Sequence, residues 1–201
     1  MDRDGLLSSL ADRISDERVL AAVAAVPREL FVSPALAAAA YNDAPLRIGH
    51  GQTISQPTLV ARMCELLELD PGHRVLDVGT GSGYHAAVLS RLCSHVWGIE
   101  RNAQLALRAA RALLRAGIDN VTVVTGDGAA GLPEHAPFDA INVAATARDH
   151  VPLELQQQLG DGGRLVAPVA RGPNEHLVRV RRKADGLVHE VLEPVRFVPL
   201  R

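Results

Sequence analysis

Residues 74 to 83 read Arg74-Val75-Leu76-Asp77-Val78-Gly79-Thr80-Gly81-Ser82-Gly83. Val75 to Val78 is a short, mostly apolar run, as in a strand covered on both faces. Three glycines then alternate with small residues, and Tyr84 to Leu92 resumes with apolar side chains at helical spacing. A strand that turns through glycines directly into a helix is the first unit of an α/β nucleotide-type site. The glycines permit a sharp turn and let a ligand approach without meeting a Cβ, while the helix start offers unpaired N–H groups.

The spacing narrows the ligand. A dinucleotide fingerprint, G-x-G-x-x-G, would need glycine at 84, where Tyr84 stands. The actual pattern, Asp77-x-Gly79-x-Gly81-x-Gly83, resembles the first motif of S-adenosylmethionine-dependent methyltransferases. Two more apolar runs end in acids. Val96-Trp97-Gly98-Ile99 leads to Glu100, and Val121 to Val124 leads to Gly126-Asp127-Gly128. A carboxylate at Glu100 can accept both ribose hydroxyls, and one at Asp127 can accept from an exocyclic adenine amine. The cofactor set expected from this loop and these acids is Asp77, Gly79, Gly81, Ser82, Gly83, Glu100, Asp127 and Gly128. The competing view is a generic α/β loop with solvated carboxylates.

At 201 residues, with 47% hydrophobic residues and a net charge of −2, the chain has material for a sizeable core. Its charge balance gives no case for nucleic acid or an anionic membrane. The dense basic run Arg179-Val180-Arg181-Arg182-Lys183 alternates like a solvated edge strand. Cys64 and Cys93 stand in apolar settings and read as reduced core thiols. No histidine pair has metal-ligand spacing, so no metal is expected. The start, Met1-Asp2-Arg3-Asp4, lacks an apolar signal core, and cytoplasm is the expected compartment.

In chain order, residues 4 to 40 read as helices packed on one edge of a later sheet. Asp16 caps the second, and an alanine-rich one runs from Pro34 to Ala40. Tyr41 to Pro57 reads as a long, irregular, polar segment, and such segments carry function. Thr58 to Leu69 is amphipathic and helical. Leu105 to Ala116 and Val151 to Leu159 are further helices, and Ala140 to Ala145 a fourth strand. Gly160 to Gly163 is a turn before a fifth strand, Arg164 to Val169. His176 to Arg182 and Leu187 to Leu192 form an antiparallel hairpin, and Val195 to Leu200 a last strand. The expected fold is α/β: a doubly wound, mostly parallel, Rossmann-like sheet with an antiparallel C-terminal edge and N-terminal helices. One domain spans 1–201, with helices and an active-site loop over 1–57, a cofactor core over 58–170 and a C-terminal hairpin and strand over 171–201.

Gly49-His50-Gly51-Gln52-Thr53-Ile54-Ser55-Gln56-Pro57 resembles the defining segment of protein-L-isoaspartate (D-aspartate) O-methyltransferases. Val26-Pro27-Arg28, Tyr41-x-Asp43-x-Pro45, the Asp77 to Tyr84 loop, Gly126-Asp127-Gly128, Ala136 to Ala140, Gly162 to Leu165 and Phe197 to Leu200 match that family in order. The resemblance implies methyl transfer from S-adenosyl-L-methionine, leaving S-adenosyl-L-homocysteine, to the free carboxylate of L-isoaspartyl and D-aspartyl residues. The ester closes to a succinimide, which begins repair. It also implies a monomer whose partners are isoaspartyl proteins and peptides, with Ser55 as the catalytic group. Ile54 and Ser55 would touch the cofactor, and Thr53, Gln56 and His50 would position the substrate. His50, between two glycines, could instead only brace its loop. His85 stands where the family often has Gln, and Ala144-Ala145-Thr146-Ala147 replaces a Thr-Ala-Ala-Pro-Pro-like turn.

Three alternatives stay open. A dedicated methyltransferase for the aspartate of one peptide keeps the chemistry, and the altered 144–147 turn motivates it. A Ser55/His50 hydrolase lacks a G-x-S-x-G elbow and leaves the acids unexplained. A catalytically dead binding module has no reason to keep Gly79, Gly81, Glu100 and Asp127 together.

Overall fold

A computed structural model describes residues 1–200. Its centre is β3 (Arg74–Val78), flanked on one side by β4 (His95–Glu100) and then β5 (Val121–Thr125), and on the other by β6 (Phe138–Val143) and β8 (Leu159–Arg171). These five run parallel. β9 (Asn174–Lys183) and β10 (Gly186–Pro194) extend the β8 side as an antiparallel hairpin, and the two-residue β7 (Ala147–Arg148) pairs with the end of β8. The expected doubly wound, mostly parallel sheet with an antiparallel edge is therefore present.

Strand periodicity sorts the core. Val75, Val96, Ala140 and Val166 face one apolar cluster together with α3 (Pro57–Leu67), α4 (Tyr84–Leu89) and α5 (Ala103–Arg115). Leu76, Val78, Ile141, Val143 and Leu165 face the other, thinner cluster under α6 (Leu153–Gln157) and residues 132–136. Connections before β5 cross the first face, and those after it cross the second. The strand order thus reverses between β3 and β6, where α/β sheets open a crevice at the carboxyl ends of their strands.

Several expectations change. α1 (Arg3–Ala11) and α2 (Glu17–Ala25) form a third layer on α3 and α4, because the sheet face beneath is already covered. Pro34–Ala39 is a 3-10 helix with no buried residue, since alanine gives it little to anchor. Residues 41–57 are irregular only in part: over 46–54, β1 (Leu46–Gly49) and β2 (Gln52–Ile54) form a hairpin turned at His50, which sits at φ +53°. Gly160 to Gly163 is a bulged part of β8, not a turn. The basic run lies on β9, an internal strand. Arg179 and Arg181, with Arg164, converge on Glu68, which ends α3 in the left-handed region at φ +47°. These arginines hold the Glu68 carboxyl below its ordinary range, chiefly through the Arg181 hydrogen bond. Residues 195–200 form no strand; Pro199 makes a single bridge to Thr146. Cys64 and Cys93 are buried free thiols. Among the described residues no helix is long and apolar enough to cross a membrane.

Candidate active site

β3 ends at Val78 and β6 at Val143, and the turns after them meet. Ala144 N donates to Val78 O at 2.8 Å, and Gly79 N to Ile99 O at 2.9 Å. Two adjoining hollows open here. One, of about 60 Å³, is lined by Glu100, Gly128, Ala145 and Val198 among others. The second, of about 30 Å³, is lined by Ile54, Ser55, Ser82, Tyr84 and His85 among others. Both touch Thr53, Gly79, Gly81 and Ala144. Most of the expected residues thus come together although they arise from separate segments of the chain. The hollows as they stand are of a size for water, not for a nucleoside. Residues within 52–55, at the end of the β1–β2 hairpin, line both, and residues 198–200 line the larger.

Glu100 is buried and already engaged. Oε2 accepts from Gly81 N at 2.9 Å, and Oε1 from Asn102 N at 2.9 Å. Each carboxylate oxygen keeps a further lone pair, so the group can still accept ribose hydroxyls. Asn102 in turn caps α5, its Oδ1 accepting from Gln104 N and Leu105 N.

Asp77 does not line either hollow. It lies beneath the loop, fully buried, paired in register with Asn142 on β6. Burial pushes its carboxyl up to about 6, against the lowering effect of the Asn142 hydrogen bond. Asn142 Nδ2 donates to Asp77 Oδ1 at 2.7 Å and contacts His85 Nδ1 at 3.1 Å. An amide nitrogen has no lone pair, so His85 Nδ1 must accept and the proton sits on Nε2. Burial pushes this imidazole down to about 3, so it is neutral. Its Nε2 is buried without a partner among the described residues, on a ring that lines the smaller hollow. Gly83 also stays outside the hollows. Its φ is +89°, and a Cβ there would lie 3.2 Å from the Ala109 methyl, so helix packing is the reason for glycine at this position.

The hairpin is fastened from below. Arg28 is fully buried and donates to Ala40 O at 2.7 Å, Ser55 O at 2.9 Å and Ala44 O at 3.4 Å, with its guanidinium 4.9 Å from the centre of the Tyr84 ring. Asp43 caps α3 from a distance, accepting from Thr58 N at 2.9 Å and Thr58 Oγ1 at 2.7 Å. Residues 196–200 are held by Glu175, which accepts from Phe197 N and Thr146 Oγ1, both at 2.6 Å. Thr146 also exchanges two backbone bonds with Val198 and Leu200. Asp127 is exposed and accepts from Ala129 N, and Gln56 and His50 line neither hollow. Sequence reasoning attaches no role to Arg28, Asn142 or Glu175; the Val-Pro-Arg match is the one available signal. Among the described residues no three of His, Cys, Asp and Glu gather as metal ligands would.

The model of the family "Protein-L-isoaspartate(D-aspartate) O-methyltransferase (PCMT)" matches residues 2–201. The protein-L-isoaspartate O-methyltransferase of Roseiflexus castenholzii is 52% identical over 200 residues, 99% of this chain and 91% of that one. The enzyme of the same name from Anaeromyxobacter dehalogenans is 55% identical over 191 residues, 93% of this chain and 90% of its own length. A solved protein-L-isoaspartate O-methyltransferase superposes with a TM-score of 0.88 at 33% identity; it covers 98% of this chain, which spans 65% of it. A Plasmodium falciparum structure described as a putative protein-L-isoaspartate O-methyltransferase in complex with S-adenosyl-L-homocysteine gives a TM-score of 0.85 at 28% identity, covering 100% of this chain and 99% of its own. This chain belongs to the protein-L-isoaspartate (D-aspartate) O-methyltransferase family.

Proposed function

We propose that this chain methylates the free carboxylate of L-isoaspartyl residues, and D-aspartyl residues, in damaged polypeptides, using S-adenosylmethionine, and so starts their repair. The observation that carries the reading is the meeting of Ser55 with the Gly79–Ser82 loop at the switch point, in a chain that matches the family from end to end. The donor set fits the cofactor: a buried carboxylate at Glu100, a loop of small residues, and a neutral imidazole with a free N–H. When bound, S-adenosylmethionine supplies an electrophilic methyl group on a sulfonium that is its own leaving group.

The residues then have modest tasks. A carboxylate with an ordinary pKa near 4 is already anionic at neutral pH, so no strong base is needed. Ser55 donates a hydrogen bond that holds the carboxylate in line, and Arg28 fixes the Ser55 backbone from beneath. Glu100 holds the ribose end, and Asp127 and Gly128 stand at the adenine end. Thr53, Gln56 and His50 lie on or beside the hairpin that receives the polypeptide. The hairpin and residues 198–200 exclude water. A monomeric state and a cytoplasmic setting complete the proposal. The 144–147 turn, which suggests a dedicated peptide substrate, has a structural use in Thr146, which holds the C-terminal segment.

The test is transfer of labelled methyl to paired peptides that differ only in an isoaspartyl or an aspartyl residue. Base-labile label on the isoaspartyl peptide alone is expected. Equal labelling of both, or of neither, would overturn the reading.

A further inference from the structure

A larger hollow, of about 570 Å³, shares Gly81 and Ser82 with the crevice. Its floor is apolar, from Phe31, Ile48 and Leu105 among others, and its rim is cationic, formed by Arg47, Arg108, Arg111 and Arg115. Arg108, Arg111 and Arg115 fall at i, i+3 and i+7, which puts them along one side of α5. Arg47 faces them from β1. Arg108 reaches across the hollow: its Nη1 lies 3.6 Å from the position a Cβ on Gly49 would take.

Several other arginines of the molecule have an acidic partner. Arg18, Arg62, Arg164, Arg179 and Arg181 each pair with a carboxylate. Among the described residues, none of the four rim arginines forms such a pair, and no Asp or Glu lines the hollow. Arg115 donates to Leu30 O at 3.0 Å. All four are exposed. In a chain of net charge −2, four guanidiniums gathered without counter-charge create a local positive field. Guanidinium forks match carboxylates in geometry, and an apolar floor suits the side chains of an extended polypeptide.

We propose that this groove seats an acidic stretch of the substrate polypeptide flanking the isoaspartyl residue, with its carboxylates on Arg47, Arg108 and Arg111. The proposal rests on the methyltransferase reading, because the groove adjoins the Gly79–Ser82 loop, which meets Ser55, the residue that holds the reacting carboxylate in that reading. It makes the enzyme selective for damage in acidic sequence, independent of the chemistry at Ser55.

Three isoaspartyl peptides of equal length test it, with flanking Glu, Gln or Lys on either side of the isoaspartyl residue. Kinetics are measured on the intact chain and on Arg108→Glu/Arg111→Glu, with Arg108→Gln/Arg111→Gln as a milder second variant. Two exposed pairs together predict a kcat/KM for the Glu peptide about tenfold above that for the Gln peptide at low salt, shrinking as salt is raised. In the charge-reversed variant that ratio falls below one and the Lys peptide becomes the best substrate. Isoaspartyl activity with no dependence on flanking charge, or a dependence that survives both variants, overturns the groove and leaves the methyltransferase reading standing. Failure to methylate all three peptides overturns the reading itself. A single-stranded oligonucleotide that competes with the Glu peptide more tightly than the same peptide carrying ordinary aspartate would also overturn the proposal, by assigning the arginines to nucleic acid.

Discussion

Single side chains in this site do two jobs at once. Glu100 binds both the glycine loop and the cap of α5. Glu100→Ala should therefore weaken S-adenosylhomocysteine binding by about 1.5–3 kcal/mol, the range for hydrogen bonds to a charged group. Calorimetry checks this, and an unchanged dissociation constant in a folded variant would remove Glu100 from the cofactor site. Ser55→Ala should slow methyl transfer roughly 10- to 1000-fold, corresponding to about 1.4–4 kcal/mol, while cofactor affinity changes little. Methylated Ser55 in quenched reactions would contradict a positioning role. His85 and Asp77 have opposite effects on acid stability. His85 is pushed from 6.5 to about 3 on folding, so between those values the unfolded chain takes a proton that the folded one refuses, and stability falls as pH drops. Asp77 is pushed from 3.8 to about 6, so there the folded chain holds the extra proton, and stability falls as pH rises. His85→Gln removes only the first effect. Urea denaturation should then show the variant gaining on the wild type as pH drops from 6.5 towards 4; a pH-independent difference would mean that His85 does not change its protonation on unfolding.

At the scale of elements, the site depends on two segments with little core of their own. The β1–β2 hairpin is held by Arg28 and Asp43, and residues 196–200 by Glu175 and Thr146. Arg28→Met leaves three carbonyls without their donor and should cost about 2–4 kcal/mol of stability. Arg28→Lys should recover little of it, since an ammonium lacks the planar fork that reaches three acceptors. Because both segments wall hollows too small for a nucleoside, amide exchange in 46–55 and 196–200 should slow when S-adenosylhomocysteine is bound, more than in the sheet strands β3 and β6. Equal protection throughout would show that the walls do not close on the ligand.

For the whole molecule, the sheet supplies rigidity and the reversal between β3 and β6 supplies the place for chemistry. A ligand that binds only the folded chain stabilises it by about 2.7 kcal/mol at a hundred times its dissociation constant. For a chain of this length that corresponds to a rise in Tm of about 5–10 °C, and thermal unfolding with increasing S-adenosylhomocysteine should show it. Much of this architecture is legible in the sequence. Buried strands give apolar runs, and the glycine loop and following acids mark the ends of β3, β4 and β5 through purely local patterns. The hairpin at 46–54 is not legible, because its turn, with His50 in the left-handed region, resembles neither an Asn-Gly nor an Asp-Gly signal. β9 reads as an edge because alternation shows which residues share a face, not which strand lies alongside. The sequence by itself determined the alternation of parallel strands and helices from β3 to β8, the glycine turn after β3 and the place of Glu100 at the end of β4, since each depends on neighbours a few residues apart. Only the tertiary structure decided that Arg28 holds Ser55, that Asn142 joins Asp77 to His85, and that four arginines face one groove. Those contacts link residues 27, 57 and 65 positions apart in the chain, or gather them from separate elements, and their energies exist only once the sheet and its helices have packed.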